Sequence, residues 1–200
     1  MGEHKISTLA APSQMKTRRA VFLDRDGVIN RSVVRNGKPF PPESPDDFEL
    51  LPGVLEACQL LKAQGFLLVV ATNQPDVGRG VQKQAVVEEM HRIMCMALPL
   101  DHVEVCYDPG QGHPSEFRKP APGMLLRAAS QLGIDLAQSY MIGDRWQDID
   151  CGAAAGCRTI FIECGYDENL RQPPDFRVSN LLEATQIILR NLTILTPHSS

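Results

Sequence analysis

The chain carries no excess of positive charge. Twenty Lys and Arg stand against 24 Asp and Glu, a formal net charge of −4, which argues against a general nucleic-acid or membrane-surface binder, because both need a basic stripe. No Cys-x-x-Cys pair occurs, and the six cysteines are scattered through apolar segments rather than framing short loops. That usage fits reduced, buried thiols better than a disulfide scaffold. There is no N-terminal apolar signal region and no run long enough to span a bilayer. Met1-Gly2 opens as a myristoylation site does, but Ile6 stands where Ser or Thr is wanted. The sequon Asn191-Leu192-Thr193 has no meaning without secretion. Internal repeats and low-complexity tracts are absent. These absences lead to the expectation of a cytoplasmic protein without nucleic-acid or membrane partners.

What is present is enough for one core. Two hundred residues with 43% hydrophobic content suffice for a single domain and hardly for two. Residues 1–19 are polar and aperiodic and are expected to form a flexible leader; the domain is expected over 20–192, with a flexible tail at 193–200. Apolar runs of strand length at 20–23, 66–71, 102–107, 139–142 and 158–162 alternate with amphipathic helical patterns. Those patterns begin near Val54, Gln82, Met124, Trp146 and Val178. Such alternation predicts an α/β fold with a doubly wound parallel sheet. Between Val28 and Leu51 the chain is rich in proline, glycine and charge. Pro39, Pro41, Pro42 and Pro45 exclude a regular helix there, and a long loop of this kind is expected to reach over a strand end.

Ala20-Val21-Phe22-Leu23 reads as a buried strand that runs into Asp24-Arg25-Asp26-Gly27. Residues two apart on a strand point the same way, so Asp24 and Asp26 can aim at one spot. Two converging carboxylates repel unless a cation lies between them, and oxygen-only ligands favour magnesium over zinc. Taken alone, the same residues also fit a solvated turn. In an open parallel sheet, however, ligands bind beyond the carboxyl ends of the strands. Thr72 and Asn73 end the second strand, Arg118 and Lys119 follow the third, and Asp144 ends the fourth with Asp148 one helical turn later. Acids beside a cation, a small hydroxyl donor and a lysine suit phosphoryl transfer. An aspartate can itself be the nucleophile, and the other acid can protonate the leaving oxygen and then activate water.

Asp24-Arg25-Asp26-Gly27, Thr72-Asn73-Gln74, Arg118-Lys119-Pro120 and Gly143-Asp144-Arg145-Trp146-Gln147-Asp148 resemble the four ordered motifs of the haloacid dehalogenase (HAD) superfamily. More narrowly, the chain resembles D-glycero-D-manno-heptose 1,7-bisphosphate phosphatases and histidinol-phosphate phosphatases. The resemblance implies a HAD-like Rossmannoid domain and hydrolysis of a phosphoric monoester through an aspartyl-phosphate. Asp24 would be the nucleophile and a magnesium ligand. Asp26 would be the general acid and base and lend its carbonyl to the metal. Thr72 and Asn73 would hold the phosphoryl oxygens, and Lys119 would neutralise charge. Asp144 would ligate Mg2+ with support from Asp148. Arg118 would reach the substrate's non-reacting part, and Arg25 and Gln74 are grouped with it as substrate-binding.

The short spans between motifs leave no room for a large cap domain. The expected partner is a small phosphorylated metabolite: heptose 1,7-bisphosphate losing its 7-phosphate, or alternatively histidinol phosphate or another sugar phosphate. The chain is expected to be a monomer. A non-catalytic binding protein on the same fold is the other alternative.

Relatives hold zinc in the third loop through Cys-x-His and Cys-x-Cys. Here Cys106 survives, but Asp108 replaces the histidine, and Ser115 and Phe117 replace the later cysteines. His113 adds one nitrogen at most, short of a closed tetrahedral site, so zinc is not expected. Asp144 is also a candidate N-cap, with Asp148 a helix-start acid. His91 and His102 read as surface or packing residues, and Trp146 as packing on substrate or on a neighbouring loop.

Overall fold

A computed structural model describes residues 17–195 apart from 36, 113, 114 and 167 and the side chains of 193–195. Residues 1–16 of the leader expected over 1–19, residues 196–200 of the tail expected over 193–200, and His113 lie outside the described residues. Six parallel strands form the sheet: β1 (Ala20–Leu23), β4 (Leu67–Asn73), β5 (His102–Cys106), β6 (Tyr140–Gly143), β7 (Arg158–Ile162) and β8 (Phe176–Val178). Their order is β5-β4-β1-β6-β7-β8, so β1 is flanked by β4 and β6, in register Phe22 to Val69 and Phe22 to Met141.

The side-chain alternation of these strands divides the core. Val21, Leu23, Leu68, Val70 and Ile142 pack on one face against α1 (Val54–Ala63) and α6 (Leu181–Leu195). Phe22, Val69, Ala71 and Met141 pack on the other against α4 (Gly123–Leu132) and α5 (Trp146–Ala155). All four residues of β1 are fully buried. That explains why the strand is apolar throughout rather than alternating. Truncating Phe22 to Ala removes about 3–5 kcal/mol of packing.

α5 and β7 lie where the sequence places them. On α1, Val54, Ala57, Cys58 and Leu61 form the buried stripe, whereas Leu55 is 45% exposed. α6 continues to Leu195, past the expected domain end at 192. Arg18, expected in the leader, donates its backbone N–H to Gly133 O, and Arg19 lies over the Phe66 ring.

Among the described residues, the stretch between Val28 and Leu51 holds no helix beyond a 3-10 turn at Pro45–Asp47, and it contains an antiparallel hairpin of β2 (Val33–Arg35) and β3 (Lys38–Phe40). Gly37, at φ +72°, makes the turn that L side chains disfavour. Pro39 is tolerated because this two-stranded ribbon has open edges. Among the described residues no larger domain is inserted between the motifs. Two further helices, α2 (Pro75–Gly78) and α3 (Gln84–Ala97), follow β4.

Candidate active site

Every motif ends at the same sheet edge. Asp24 follows β1 and is tied there by its N–H to Ile142 O at 3.0 Å. Lys119 reaches in from the loop after β5, only 3% exposed, with Nζ 2.8 Å from Asp24 Oδ1, 2.6 Å from Asp148 Oδ1 and 2.7 Å from Ala71 O. Asp148 also accepts the Arg145 N–H through Oδ2 at 3.0 Å, so one carboxylate starts α5 and anchors the lysine. Arg145, not Asp144, is the N-cap. Asp144 instead turns into the site.

Asp144 is buried, and neither of its carboxylate oxygens has a hydrogen-bond partner among the described residues. Gly27 makes room for it: at φ +90°, a Cβ there would lie 2.1 Å from Asp144 Oδ2. Gly143 likewise sits where a Cβ would meet Asp148 Cβ at 2.1 Å. Asp24, Asp144 and Asp148 each bring a ligand atom within 4.8 Å of the others. An orphaned buried carboxylate is costly, and three convergent oxygen donors with one lysine fit a hard divalent cation such as Mg2+.

Charge and burial shift these groups. Burial, then the acids Asp148 and Asp26, push Asp24 up to about 6 against the opposing pull of Lys119. Burial and the neighbouring Asp24 and Asp148 push Asp144 well above the carboxylate range. Burial pulls Lys119 down, but Asp148 and Asp24 outweigh it and hold the ammonium above its ordinary value. A divalent cation must displace the protons that these carboxyls hold. The affinity for Mg2+ is therefore expected to fall as pH drops through about 6, approaching tenfold per pH unit per displaced proton below it, which calorimetric titration in buffers of differing ionisation enthalpy reads directly.

Asp26 lines the cleft beside Asp24. Its Oδ2 accepts from Gln74 Nε2 at 2.8 Å and Arg25 Nη2 at 2.8 Å, and its Oδ1 from Asn30 Nδ2 at 2.9 Å. Gln74 Nε2 also donates to Thr72 Oγ1 at 3.0 Å, which leaves the Thr72 hydroxyl proton available to an incoming oxygen. Asn73 holds the Lys119 backbone: Oδ1 accepts its N–H at 3.1 Å and Nδ2 donates to its carbonyl at 3.0 Å.

Two of the residues grouped as substrate-binding are thus placed differently from expectation. Gln74 borders the cleft with both of its Nε2 hydrogens given to Asp26 and Thr72. Arg25 is fully buried and absent from the cleft wall, because its guanidinium is drawn inward by Asp26 and by His91, whose Nε2 lies 3.1 Å from Nη1. Arg118 does border the cleft, held by Nη1 to Asp108 O at 2.7 Å.

The cleft has a volume of about 330 Å3 and changes sign from floor to rim. Its floor is the acid cluster with Lys119; its rim carries Arg79, Arg118 and Arg145, with Phe40 and Pro41 of the hairpin segment as an apolar wall. Arg79 donates through Nε to Pro109 O, and Arg145 through Nε to Glu168. A guanidinium has five N–H donors, so these anchors leave others for a ligand. The sequence assigned no role to Asn30, Arg79, Glu168 or Phe40, nor to Arg145, although Arg145 lies within the fourth motif. Asn30 was accessible in principle through its position four residues beyond Asp26, on the same tight turn.

In the third loop, Asp108 is half-buried and ties the loop to itself. Its carboxylate accepts the backbone N–H groups of Gly110 and Ser115, and these bonds hold its carboxyl below the usual range. Trp146 packs under Arg171, 3.3 Å from the ring centroid, so the neighbouring loop is its partner.

Comparison with known proteins places this arrangement. Residues 116–184 match a HAD-hydrolase-like family model. The chain is 41% identical over 151 residues to the D-glycero-beta-D-manno-heptose-1,7-bisphosphate 7-phosphatase of Escherichia coli K12, covering 70% of this chain and 76% of that protein. It is 38% identical over 167 residues to the D-glycero-alpha-D-manno-heptose-1,7-bisphosphate 7-phosphatase of Burkholderia mallei, covering 74% and 82%. Among solved structures it is similar to the D,D-heptose 1,7-bisphosphate phosphatase of B. bronchiseptica complexed with magnesium and phosphate. That match has a TM-score of 0.68 and 28% identity over 86% of this chain and 99% of that one.

Proposed function

This chain belongs to the HAD-like phosphatases and is a phosphoric monoester hydrolase, and from that premise we propose that it is a magnesium-dependent heptose-bisphosphate phosphatase removing the 7-phosphate of D-glycero-D-manno-heptose 1,7-bisphosphate. The observation that carries the reading is Asp24 on Lys119 Nζ at 2.8 Å beside the unpaired Asp144. Asp24 attacks phosphorus, forming a P–O bond to its carboxylate as the bond to the heptose oxygen breaks. Asp26, at the mouth of the same pocket, delivers the proton to that oxygen and then takes one from the water that cleaves the aspartyl-phosphate. Lys119, the Thr72 hydroxyl and the remaining Nδ2–H of Asn73 face the negative charge on the transferring group. Asp24, the Asp26 carbonyl, Asp144 and Asp148 would hold Mg2+, which supplies charge neutralisation at the phosphoryl oxygens.

The rim arginines support a second anionic group on the substrate, at a distance from the reacting one. Arg118→Ala and Arg145→Ala are each expected to raise KM for the bisphosphate about tenfold, with kcat nearly unchanged, and to leave the KM of an aryl monophosphate unaltered. The direct test compares Mg2+-dependent phosphate release from heptose 1,7-bisphosphate with that from histidinol phosphate. A preference for histidinol phosphate overturns the substrate assignment and leaves the chemistry standing.

A further inference from the structure

His91 is a buried titratable residue that the chemistry above does not use. It lies on the inner face of α3 with Val87, Met90 and Met94 and is 9% exposed. Its Nε2 sits 3.1 Å from Arg25 Nη1. A guanidinium has no acceptor, so the contact requires Nε2 to carry the lone pair and Nδ1 the proton. Burial, and next the charge of Arg25, push the imidazole down to about 4, so it is neutral at physiological pH.

Arg25 has no exposed surface. Its fork meets Asp26 through Nε to Oδ1 at 3.2 Å and through Nη2 to both carboxylate oxygens at 2.9 and 2.8 Å. The far side of the same guanidinium is the one facing His91. Without an acceptor there, Nη1 would be left unpaired in a dry site, and the group would turn or admit water.

We infer that His91 is a positioning residue for the reaction: through Arg25 it fixes the rotamer of the Asp26 carboxyl, and so the line of proton delivery to the leaving oxygen. α3 thereby contributes to catalysis without touching substrate. The inference rests on Asp26 being the general acid. It also separates Arg25 from the rim arginines, since its task is to hold a carboxylate and not a ligand.

The experiment exploits leaving-group chemistry. Nitrophenolate departs without a proton, whereas an alkoxide needs one in the transition state, so a misplaced acid slows formation of the aspartyl-phosphate from alkyl phosphates only. The single-turnover rate of leaving-group release, with enzyme in excess, is compared for p-nitrophenyl phosphate and an alkyl phosphate, heptose 1,7-bisphosphate or histidinol phosphate according to wild-type preference, at saturating Mg2+; that rate reads formation of the aspartyl-phosphate and not its hydrolysis, for which Asp26 is the base with either substrate.

His91→Leu is expected to lower this rate for the alkyl ester about tenfold or more, with the half-saturating concentration unchanged and the aryl rate within about twofold. His91→Gln, whose amide oxygen can accept from Arg25, is expected to restore most of the loss. Arg25→Lys keeps the buried charge but loses the fork and is expected to show the same split, which covers the case of a poorly folding His91→Leu. Equal losses on both substrates, or none, overturn the inference. Asp26→Asn serves as the reference. A split in Asp26→Asn without one in the His91 and Arg25 variants rejects the positioning role alone, and no split in Asp26→Asn removes the general-acid reading and this inference with it.

Discussion

Asp24→Asn is expected to lose at least about 10^4-fold in kcat while gaining stability in the absence of metal. The amide retains the shape of the side chain but is no nucleophile. The stability gain follows from the shift of Asp24 from 3.8 up to about 6. Between those two values the folded protein holds a proton that the unfolded chain has released. Stability from this group is therefore largest below pH 3.8 and is lost as pH rises through about 6. At pH 7.5 the wild type carries that penalty in full and the amide does not. With some of it offset by the partner that Lys119 loses, the variant is expected to be about 1–3 kcal/mol more stable in urea unfolding. Mg2+ should narrow the difference by stabilising the wild type more.

Lys119→Met is expected to fail in both respects. The ammonium touches Asp24, Asp148 and the Ala71 carbonyl, so its removal leaves two buried carboxylates facing Asp144 with no cation. Breaking a buried ion pair from one side costs about 3–5 kcal/mol, and the loss of charge neutralisation at the phosphoryl group is expected to cost about 10^3-fold in kcat. The pH dependence identifies the cause. Without the lysine the carboxyls are pushed up further, the folded state binds more protons than the unfolded one, and the lost stability returns as pH falls toward 5. Denaturation of wild type and variant at pH 7.5 and 5.5 measures that recovery.

Much of this site was legible in the sequence because its parts sit at strand ends, and strand ends can be found from apolar runs. Asp24, Thr72, Lys119, Asp144 and Asp148 all fall where β1, β4, the loop after β5, β6 and α5 deliver them. Side-chain direction was less accessible. Arg25 lies between two catalytic acids in the sequence, yet it points away from the cleft because His91, 66 residues later, accepts its outer N–H. Nothing local to Arg25 carries that information. Asn73 and Gln74 are similar: an amide beside a phosphate site is equally suited to bind ligand or to brace another residue, and the distances show Gln74 bracing Asp26 and Thr72 while Asn73 braces the Lys119 backbone and keeps one Nδ2–H for the ligand.

The elements that escaped the sequence reading are those with little burial. β2 and β3 pair with each other outside the main sheet, and β8 is three residues at its edge. None of them has an apolar run long enough to stand out from a loop. The rim was obscured for another reason. Arg79, Arg145 and Glu168 belong to three separate segments, and each resembles an ordinary surface charge until the fold gathers them at one opening.

The central claim is that the carboxylate of Asp24 accepts the phosphoryl group. Asp26→Asn, incubated with Mg2+ and p-nitrophenyl phosphate, isolates the step, because the leaving group needs no acid and the base that hydrolyses the acyl phosphate is gone. Acid quenching, borohydride reduction and peptide mass spectrometry then locate the phosphorylated carboxyl. The account predicts a burst of one equivalent of nitrophenolate and a homoserine at position 24. Nitrophenolate and inorganic phosphate released in step with no protein-bound phosphoryl group, or reduction at any other carboxyl, would contradict it.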